Sequence, residues 1–147
     1  MSIEELGSIG ELLAAVATLL TLIYVAAQIR QNSKMMRANT KQAISDATQQ
    51  LLYTLNEDPE TSRKILYGGE LSDTERIRVW IFARATCRGF ETQIFHYKSG
   101  LLDEKEWSNL KNVIENTMSA PGMREVWPEL RAVVSPELRE MIDQGNS

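Results

Sequence analysis

Reactive and metal-binding side chains are scarce in this 147-residue sequence. It contains a single cysteine and a single histidine, which excludes an intrachain disulfide, a zinc-finger ligand set and the paired Glu-x-x-His motifs of a di-iron bundle. An excess of basic residues is also missing, because 16 Lys and Arg stand against 20 Asp and Glu and give a net charge of -4. Since binding to a phosphate backbone requires a basic surface, we expect no nucleic-acid partner.

Residues that interrupt helices are few as well. The chain has four prolines and eight glycines, and neither type occurs between Gly10 and Pro59. No segment alternates apolar and polar residues with the period of two that indicates a strand. The length allows one compact domain with an appendage. The sequence therefore predicts an all-α fold in which at least one helix is long.

One long apolar run is present, from Leu12 to Ala27, and it contains no charged residue. Extended to residues 6–29 it would form a helix of about 36 Å, which is enough to cross a hydrocarbon core of about 30 Å. The one charged residue in that range, Glu11, lies near its start, where a carboxylate can reach the headgroups. We therefore predict a membrane anchor in residues 1–31, with its helix at about 6–30.

The charges that flank this run differ in sign. Glu4 and Glu5 precede it, and four basic residues follow it before the first acid, Asp46. By the positive-inside tendency the N-terminus is expected outside and the rest of the chain in the cytoplasm. The four basic residues are also expected to contact anionic lipid headgroups. They are Arg30, Lys34, Arg37 and Lys41.

Two other interpretations of the apolar run remain open. A run of sixteen apolar residues is also compatible with the buried core helix of a soluble bundle. A cleaved signal peptide is the second alternative, since Val25-Ala26-Ala27 provides small residues before Gln28. The positively charged segment that normally opens a signal peptide is missing here, so the membrane anchor is the favoured interpretation.

Small residues recur along the apolar run at spacings of three and four, which places them on one stripe of a helix. Such a stripe lets two backbones approach closely in lipid, where van der Waals contact causes helices to associate. The stripe therefore has two interpretations. It is a surface for self-association, or it reflects only the high frequency of small residues in membrane helices. The stripe consists of Gly7, Gly10, Ala14, Ala17, Thr18 and Thr21.

Residues 32–57 are predicted to form an amphipathic juxtamembrane helix, which either continues the anchor or begins after a soft break at Asn32-Ser33. Residues at helical spacing form one face that is expected to pack against another surface. Its members are Met36, Thr40, Ala43, Ile44, Ala47, Leu51, Thr54 and Leu55.

Residues 58–147 are predicted to form a small cytoplasmic helical bundle. Asp58-Pro59 can cap and open a short helix that stops at Gly68-Gly69. Ser72 with Glu75, and Asp103 with Glu106, have the spacing of capping boxes. The first box predicts a helix from Asp73 to about Lys98, and the second predicts a helix whose buried face includes Leu110, Ile114 and Met118. Pro121-Gly122 is expected to interrupt the chain before a short helix at about 123–134, and Ser135-Pro136 to open a last helix that ends near residue 143.

Three charged residues lie in an apolar arc of the long helix at 73–98. Arg84, Arg88 and Glu91 project among residues that periodicity assigns to its buried face. Burial of unpaired charge costs several kcal/mol, so the three are expected either to form an ion network or to line an anion pocket or a subunit interface. Two arginines one turn apart could hold a carboxylate or a phosphate. The apolar members of the arc are Ile77, Trp80, Ile81, Cys87, Ile94 and Phe95.

Enzyme signatures are not found. Cys87 and His96 lie about 13 Å apart along one helix and point in opposite directions, so they cannot form a dyad within one chain. Cys87 is expected to be a small buried hydrophobe, and His96 a solvated surface imidazole. The sequence contains no phosphate loop, no Gly-x-Ser-x-Gly and no His-Glu-x-x-His. We expect no catalytic residue, no metal site and no cofactor.

Four segments resemble a broad group of uncharacterised bacterial membrane-anchored helical proteins. The resemblance covers most of the chain in order, and its two loop motifs are moderately specific. It implies a bacterial inner-membrane location and a conserved helical architecture, but no activity, substrate or catalytic residue. The segments are LIYVAAQIRQN at 22–32, YKSGLLDEKEW at 97–107, SAPG at 119–122 and SPEL at 135–138.

Taken together, these features predict a single-pass inner-membrane protein that is not an enzyme. Its helical domain is expected to act as a homo-oligomeric scaffold or as an accessory subunit of a larger membrane complex. One alternative is a sensor that binds an anion or a lipid headgroup through Arg84 and Arg88. A second is a soluble helical bundle with a buried N-terminal helix, and a third is a membrane-bound enzyme of unknown class.

Overall fold

The computed structural model describes residues 2–145, and this part of the chain is all-α. A long apolar N-terminal helix is followed by a small bundle of shorter helices, as the sequence predicts. The six helices are α1 (Ile3–Glu57), α2 (Pro59–Tyr67), α3 (Asp73–Lys98), α4 (Glu104–Met118), α5 (Pro121–Leu130) and α6 (Pro136–Gly145).

Helix α1 is continuous over 55 residues, and none of them is buried. The soft break that Asn32-Ser33 could have introduced does not occur. The hydroxyl of Ser33 donates a hydrogen bond of 2.9 Å to the carbonyl oxygen of Ile29, so this polar side chain stays within the helix. The chain nevertheless divides into two compact units, Met1–Asn39 and Thr40–Ser147.

Local capping fixes where α2, α3 and α4 begin. The side chain of Asp58 accepts a hydrogen bond from the Thr61 amide, and Pro59 occupies the first turn of α2. Ser72 with Glu75, and Asp103 with Glu106, form the two predicted capping boxes. Both boxes satisfy amide groups that a helix N-terminus otherwise leaves without a partner. These helix starts confirm the predictions. They could be predicted because each start depends on residues that lie within one turn of each other.

The predicted start of α5 is wrong. Pro121-Gly122 does not interrupt the chain ahead of a helix at 123–134, because Pro121 is the first residue of α5 and the helix ends at Leu130. Proline is well suited to the first helical position, because an amide hydrogen there would have no acceptor within the helix. Gly122 is buried inside the first turn. Helix α6 begins at Pro136, as predicted, and reaches Gly145.

The core of the Thr40–Ser147 unit lies between α2, α3, α4, α5 and α6. Helix α5 packs against both α2 and α3, while α6 packs against α4 and α3. Met123, Val126 and Leu130 of α5 are almost completely buried. Leu55 of α1 is partly buried against this core. The remaining buried apolar residues include Ile65, Val79, Ala83, Cys87, Phe90, Ile94, Leu110, Ile114, Met118, Val134, Leu138 and Ile142.

A half-buried ion pair joins α2 to the capping box of α3. The ammonium group of Lys64 lies 2.7 and 2.8 Å from the two carboxylate oxygens of Glu75. Hydrogen bonds from Lys64, and from the amide and hydroxyl groups of Ser72, lower the pKa of Glu75 from 4.5 to about 2. The folded protein therefore favours the ionised carboxylate.

Because of this ion pair, part of the stability of the folded protein depends on pH. Because the pKa of Glu75 is lower in the folded state, its contribution is complete above the ordinary value of 4.5 and is lost as the pH falls towards about 2. We expect the melting temperature of the wild type to exceed that of Glu75→Gln at about pH 6, with a difference that shrinks by about pH 3. Thermal melts monitored by circular dichroism would measure it. A difference that stays constant over this range would contradict the assignment.

Candidate functional site

The apolar surface of α1 is the most extensive exposed feature of the Met1–Asn39 unit. Its large apolar side chains are open along the whole run from Ile3 to Ile29, and Leu20 at its centre is 61% exposed. The helix is long and apolar enough to cross a membrane. This finding is compatible with a membrane anchor or a signal sequence. No residue of α1 is buried in the structure, which gives no support to the alternative of a soluble bundle with this helix in its core.

Polar side chains within the apolar run satisfy one another or the backbone of their own helix. The hydroxyl of Thr18 donates a hydrogen bond to the carbonyl oxygen of Ala14, and the hydroxyl of Thr21 donates one to the carbonyl oxygen of Ala17. The donor–acceptor distance is 2.8 Å in both. The amide of Gln28 donates to the hydroxyl of Tyr24. Hydrocarbon offers no hydrogen-bond partner, so such internal pairing lowers the cost of placing these groups in lipid.

The predicted stripe of small residues lies open on α1. A Cβ atom built on Gly7 or Gly10 would meet no atom within 4 Å. Ala14, Ala17 and the two threonines are also exposed. The stripe is thus exposed, and a second helix can contact it.

The four predicted headgroup-binding residues have the spacing of one helix face, i, i+4, i+7 and i+11, and all are exposed. Lys41 differs from the other three because its ammonium group forms an ion pair of 2.5 Å with Glu106 of α4. Lys41 and Glu106 both belong to the Thr40–Ser147 unit. The contact observed for Lys41 is therefore with the protein, while headgroup contact by Arg30, Lys34 and Arg37 stays a prediction.

Arg84, Arg88 and Glu91 are brought together, and Glu91 is the centre of the cluster. One oxygen of its carboxylate accepts a hydrogen bond of 2.6 Å from the amide of Ser135, immediately before α6. The other oxygen lies 3.2 Å from Nη1 of Arg88 and 3.8 Å from Nη1 of Arg84. The Glu91 side chain is only 13% exposed. The cluster is therefore an ion network that ties α3 to the start of α6.

The apolar arc predicted around these charges is wrong in part. Ile77, Ile81 and Phe95 are 57–64% exposed, whereas Cys87 and Ile94 are buried as predicted. The observed buried face of α3 is rotated from the predicted arc by a fraction of a helical turn. Its members are Val79, Ala83, Thr86, Cys87, Phe90 and Ile94. The arginines consequently lie at the edge of this face and not at its middle, and the Arg88 side chain is 74% exposed.

Chemical reactivity is low at Cys87. Burial is the main reason that the pKa of its thiol rises to about 11, with a further contribution from the negative charge of Glu91. The thiol is therefore protonated at neutral pH and is a poor nucleophile. His96 is half-buried, and its Nδ1 is buried without a hydrogen-bond partner in the described part of the chain, so it is less solvated than predicted. Within residues 2–145 no group of three His, Cys, Asp or Glu could hold a metal ion.

Two contacts that join α3 to the region of α6 could not be predicted from local sequence. The Ser135 amide lies 44 positions from Glu91, and Lys98 forms an ion pair of 2.6 Å with Glu137 of α6. No local signal links these residues, because each contact joins α3 to the α5–α6 region across the fold. The one local signal is the cap-like pattern Ser135-Pro136. It indicates that α6 begins at this point and that the first amide groups of α6 need hydrogen-bond acceptors.

In comparisons with known proteins, no family model, curated protein or solved structure matches this chain.

Glu91 is expected to contribute to stability much more than Arg88 does. Replacing Glu91 by Ala leaves the partly buried Ser135 amide without its acceptor, and we expect a loss of about 2 kcal/mol in the free energy of unfolding. Arg88→Met removes one exposed ion pair, for which we expect a loss below about 1 kcal/mol. Urea denaturation of both variants would measure the two losses. Equal losses would show that Glu91 is not the centre of the network.

Proposed function

We propose that this chain is a single-pass, membrane-anchored helical scaffold or accessory subunit. It acts through contacts with copies of itself or with a larger membrane complex, and not by catalysis. The observation that carries this proposal is the unburied apolar surface of α1, which spans the length of a bilayer core. An exposed apolar surface of this extent in a soluble monomer would be unusual and would promote aggregation.

The chemistry of the remaining surface favours contacts over catalysis. The cluster on α3 pairs its arginines with Glu91. The one thiol is buried and protonated. A helical domain held at a membrane gains effective concentration, so that weak pairings between copies become significant.

The proposed orientation places the N-terminus outside and the helical domain in the bacterial cytoplasm. It is supported by the basic side chains that follow the apolar run, Arg30, Lys34 and Arg37, and by Glu4 and Glu5 ahead of it. A reporter enzyme that is active only in the periplasm should be inactive when it is fused to the C-terminus. Activity of that fusion would refute the orientation.

Self-association is proposed to use the small-residue stripe of α1. Gly10→Ile with Ala14→Ile would separate two helices that pack through this stripe, and we expect an about tenfold rise in the dissociation constant, equivalent to about 1.4 kcal/mol. Mass measurement in mild detergent over a dilution series would detect the change. The wild type should form a fixed multimer or carry a stoichiometric partner subunit.

A matched control is available on the opposite side of the same helix. Leu12→Ile with Val16→Ile changes the same turns but leaves the stripe intact, so its dissociation constant should equal that of the wild type. If both double variants weaken the multimer equally, the stripe is not the contact surface. A wild type that stays monomeric and without a partner at all concentrations would contradict the scaffold proposal itself.

A further inference from the structure

An open groove of about 490 Å³ lies along α3 beside the connection from α5 to α6. It combines charged side chains with exposed apolar ones. Phe95 is 64% exposed and Val133 is 48% exposed, although both are large apolar residues at the rim of this groove. The charged residues that line it are Arg84, Arg88, Glu91, Lys98 and Glu137.

The groove holds one more positive than negative charge. Its three cations, Arg84, Arg88 and Lys98, face the two carboxylates of Glu91 and Glu137. Lys98 is paired with Glu137 over 2.6 Å, so two guanidinium groups share the single carboxylate of Glu91. One unit of positive charge is therefore left over at the two arginines.

The arginines also have unused hydrogen-bonding capacity. Nη1 of Arg84 is buried and makes no hydrogen bond within the described residues, because the Glu91 oxygen is 3.8 Å away. Arg88 makes one hydrogen bond, from Nη1 to Glu91, and most of its side chain is open. A guanidinium group carries five N–H donors, and 31% of the Arg84 side chain is exposed, so the open nitrogens of both arginines can donate to a further anion.

We propose that this groove binds an amphiphile that carries one anionic headgroup, such as a phosphate diester or a carboxylate on an alkyl chain. The arginine donors take the headgroup, whose single negative charge matches the surplus in the groove. The alkyl chain lies on Phe95 and Val133 and removes their apolar surface from water. This inference does not depend on self-association of α1.

The test uses the full-length chain in nanodiscs of zwitterionic phosphatidylcholine. The probe is methyl dodecyl phosphate, a diester with a single negative charge, which carries a photoreactive diazirine in its alkyl chain, and the neutral control is a maltoside with the same chain. We expect saturable labelling by the phosphate probe in the peptides that contain Phe95 and Val133. Labelling that does not saturate, or equal labelling by the maltoside, would overturn the proposal.

Variants at exposed arginines test the headgroup contact. Arg88→Gln should weaken binding of the phosphate probe about tenfold, because one charge-assisted hydrogen bond is lost. Arg124→Gln is the matched control, since Arg124 is an exposed arginine on α5 outside the groove. Both side chains are exposed, so both variants should fold, as circular dichroism would verify. Equal affinities of the two variants, in folded protein, would overturn the proposal.

A second arm distinguishes the two sources of such a ligand. Phosphatidylglycerol with a diazirine in its acyl chain is incorporated into the nanodisc, and no free amphiphile is added. Groove labelling in this arm would identify a bilayer lipid as the ligand, whereas labelling only by the free alkyl phosphate would identify a diffusible amphiphile. Either result supports the shared chemistry, and absence of groove labelling in both arms refutes it.

Discussion

Gly122→Ala is expected to unfold much of the bundle at temperatures where the wild type is stable. A Cβ atom at this position would lie 2.6 Å from the Cα of Ile65 and 3.3 Å from its carbonyl oxygen. Both are backbone atoms, so no side chain can turn away, and α2 and α5 would have to separate. We expect a loss of about 3 kcal/mol, which for a domain of this size lowers the melting temperature by more than about 10 °C.

Gly89→Ala is the matched control for this substitution. Gly89 lies in the middle of α3, and a Cβ atom there would meet nothing within 4 Å. Because alanine has a higher helix propensity than glycine, this variant should gain up to about 1 kcal/mol. The two glycine-to-alanine changes therefore have opposite expected signs, and thermal melts of the full-length chain in detergent would compare them. A stable Gly122→Ala variant would show that α2 and α5 do not approach so closely.

Leu20→Arg is expected to abolish stable attachment to the membrane. Leu20 lies near the centre of the apolar run, and a charged side chain at the bilayer centre makes insertion less favourable by about 3 kcal/mol. This corresponds to a change of about a hundredfold in the insertion equilibrium. Separation of cell membranes from the soluble fraction, followed by immunodetection of the chain, would measure the distribution.

Gln31→Arg controls for the added charge. It places the same side chain next to Arg30, beyond the apolar run, where basic residues favour the proposed orientation. This variant should remain in the membrane fraction in the same proportion as the wild type. If Leu20→Arg and the wild type also have the same distribution, the apolar run is not what attaches the chain to membranes.

The sequence predicted those parts of the fold that depend on local chemistry. The capping boxes of α3 and α4, and the Asp58-Pro59 start of α2, were found where expected because their donors and acceptors lie within one turn. The membrane-length apolar helix was likewise readable from composition alone. What periodicity could not decide was which of two adjacent apolar arcs of α3 the other helices cover.

That choice is made by contacts far apart in the sequence. Ile77 and Ile81 belong to the arc that also carries the three charged residues, and they are exposed because α5 and α6 pack against the neighbouring face. The close approach of Gly122 to Ile65 has the same origin, since it requires knowing that α2 and α5 cross at this point. Arg84, Arg88 and Glu91 were identified as an unusual group, but the Ser135 amide that holds Glu91 could not be found from local pattern.

The central proposal, that α1 spans a membrane and anchors the helical domain, is tested most directly by extracting membranes at high pH without detergent. After alkaline carbonate treatment and ultracentrifugation, the full-length chain should remain in the pellet and should be released only by detergent. Recovery of the intact chain in the supernatant would contradict the proposal. Recovery there of a shortened chain that begins near Gln28 would also contradict it and would identify the apolar run as a cleaved signal sequence.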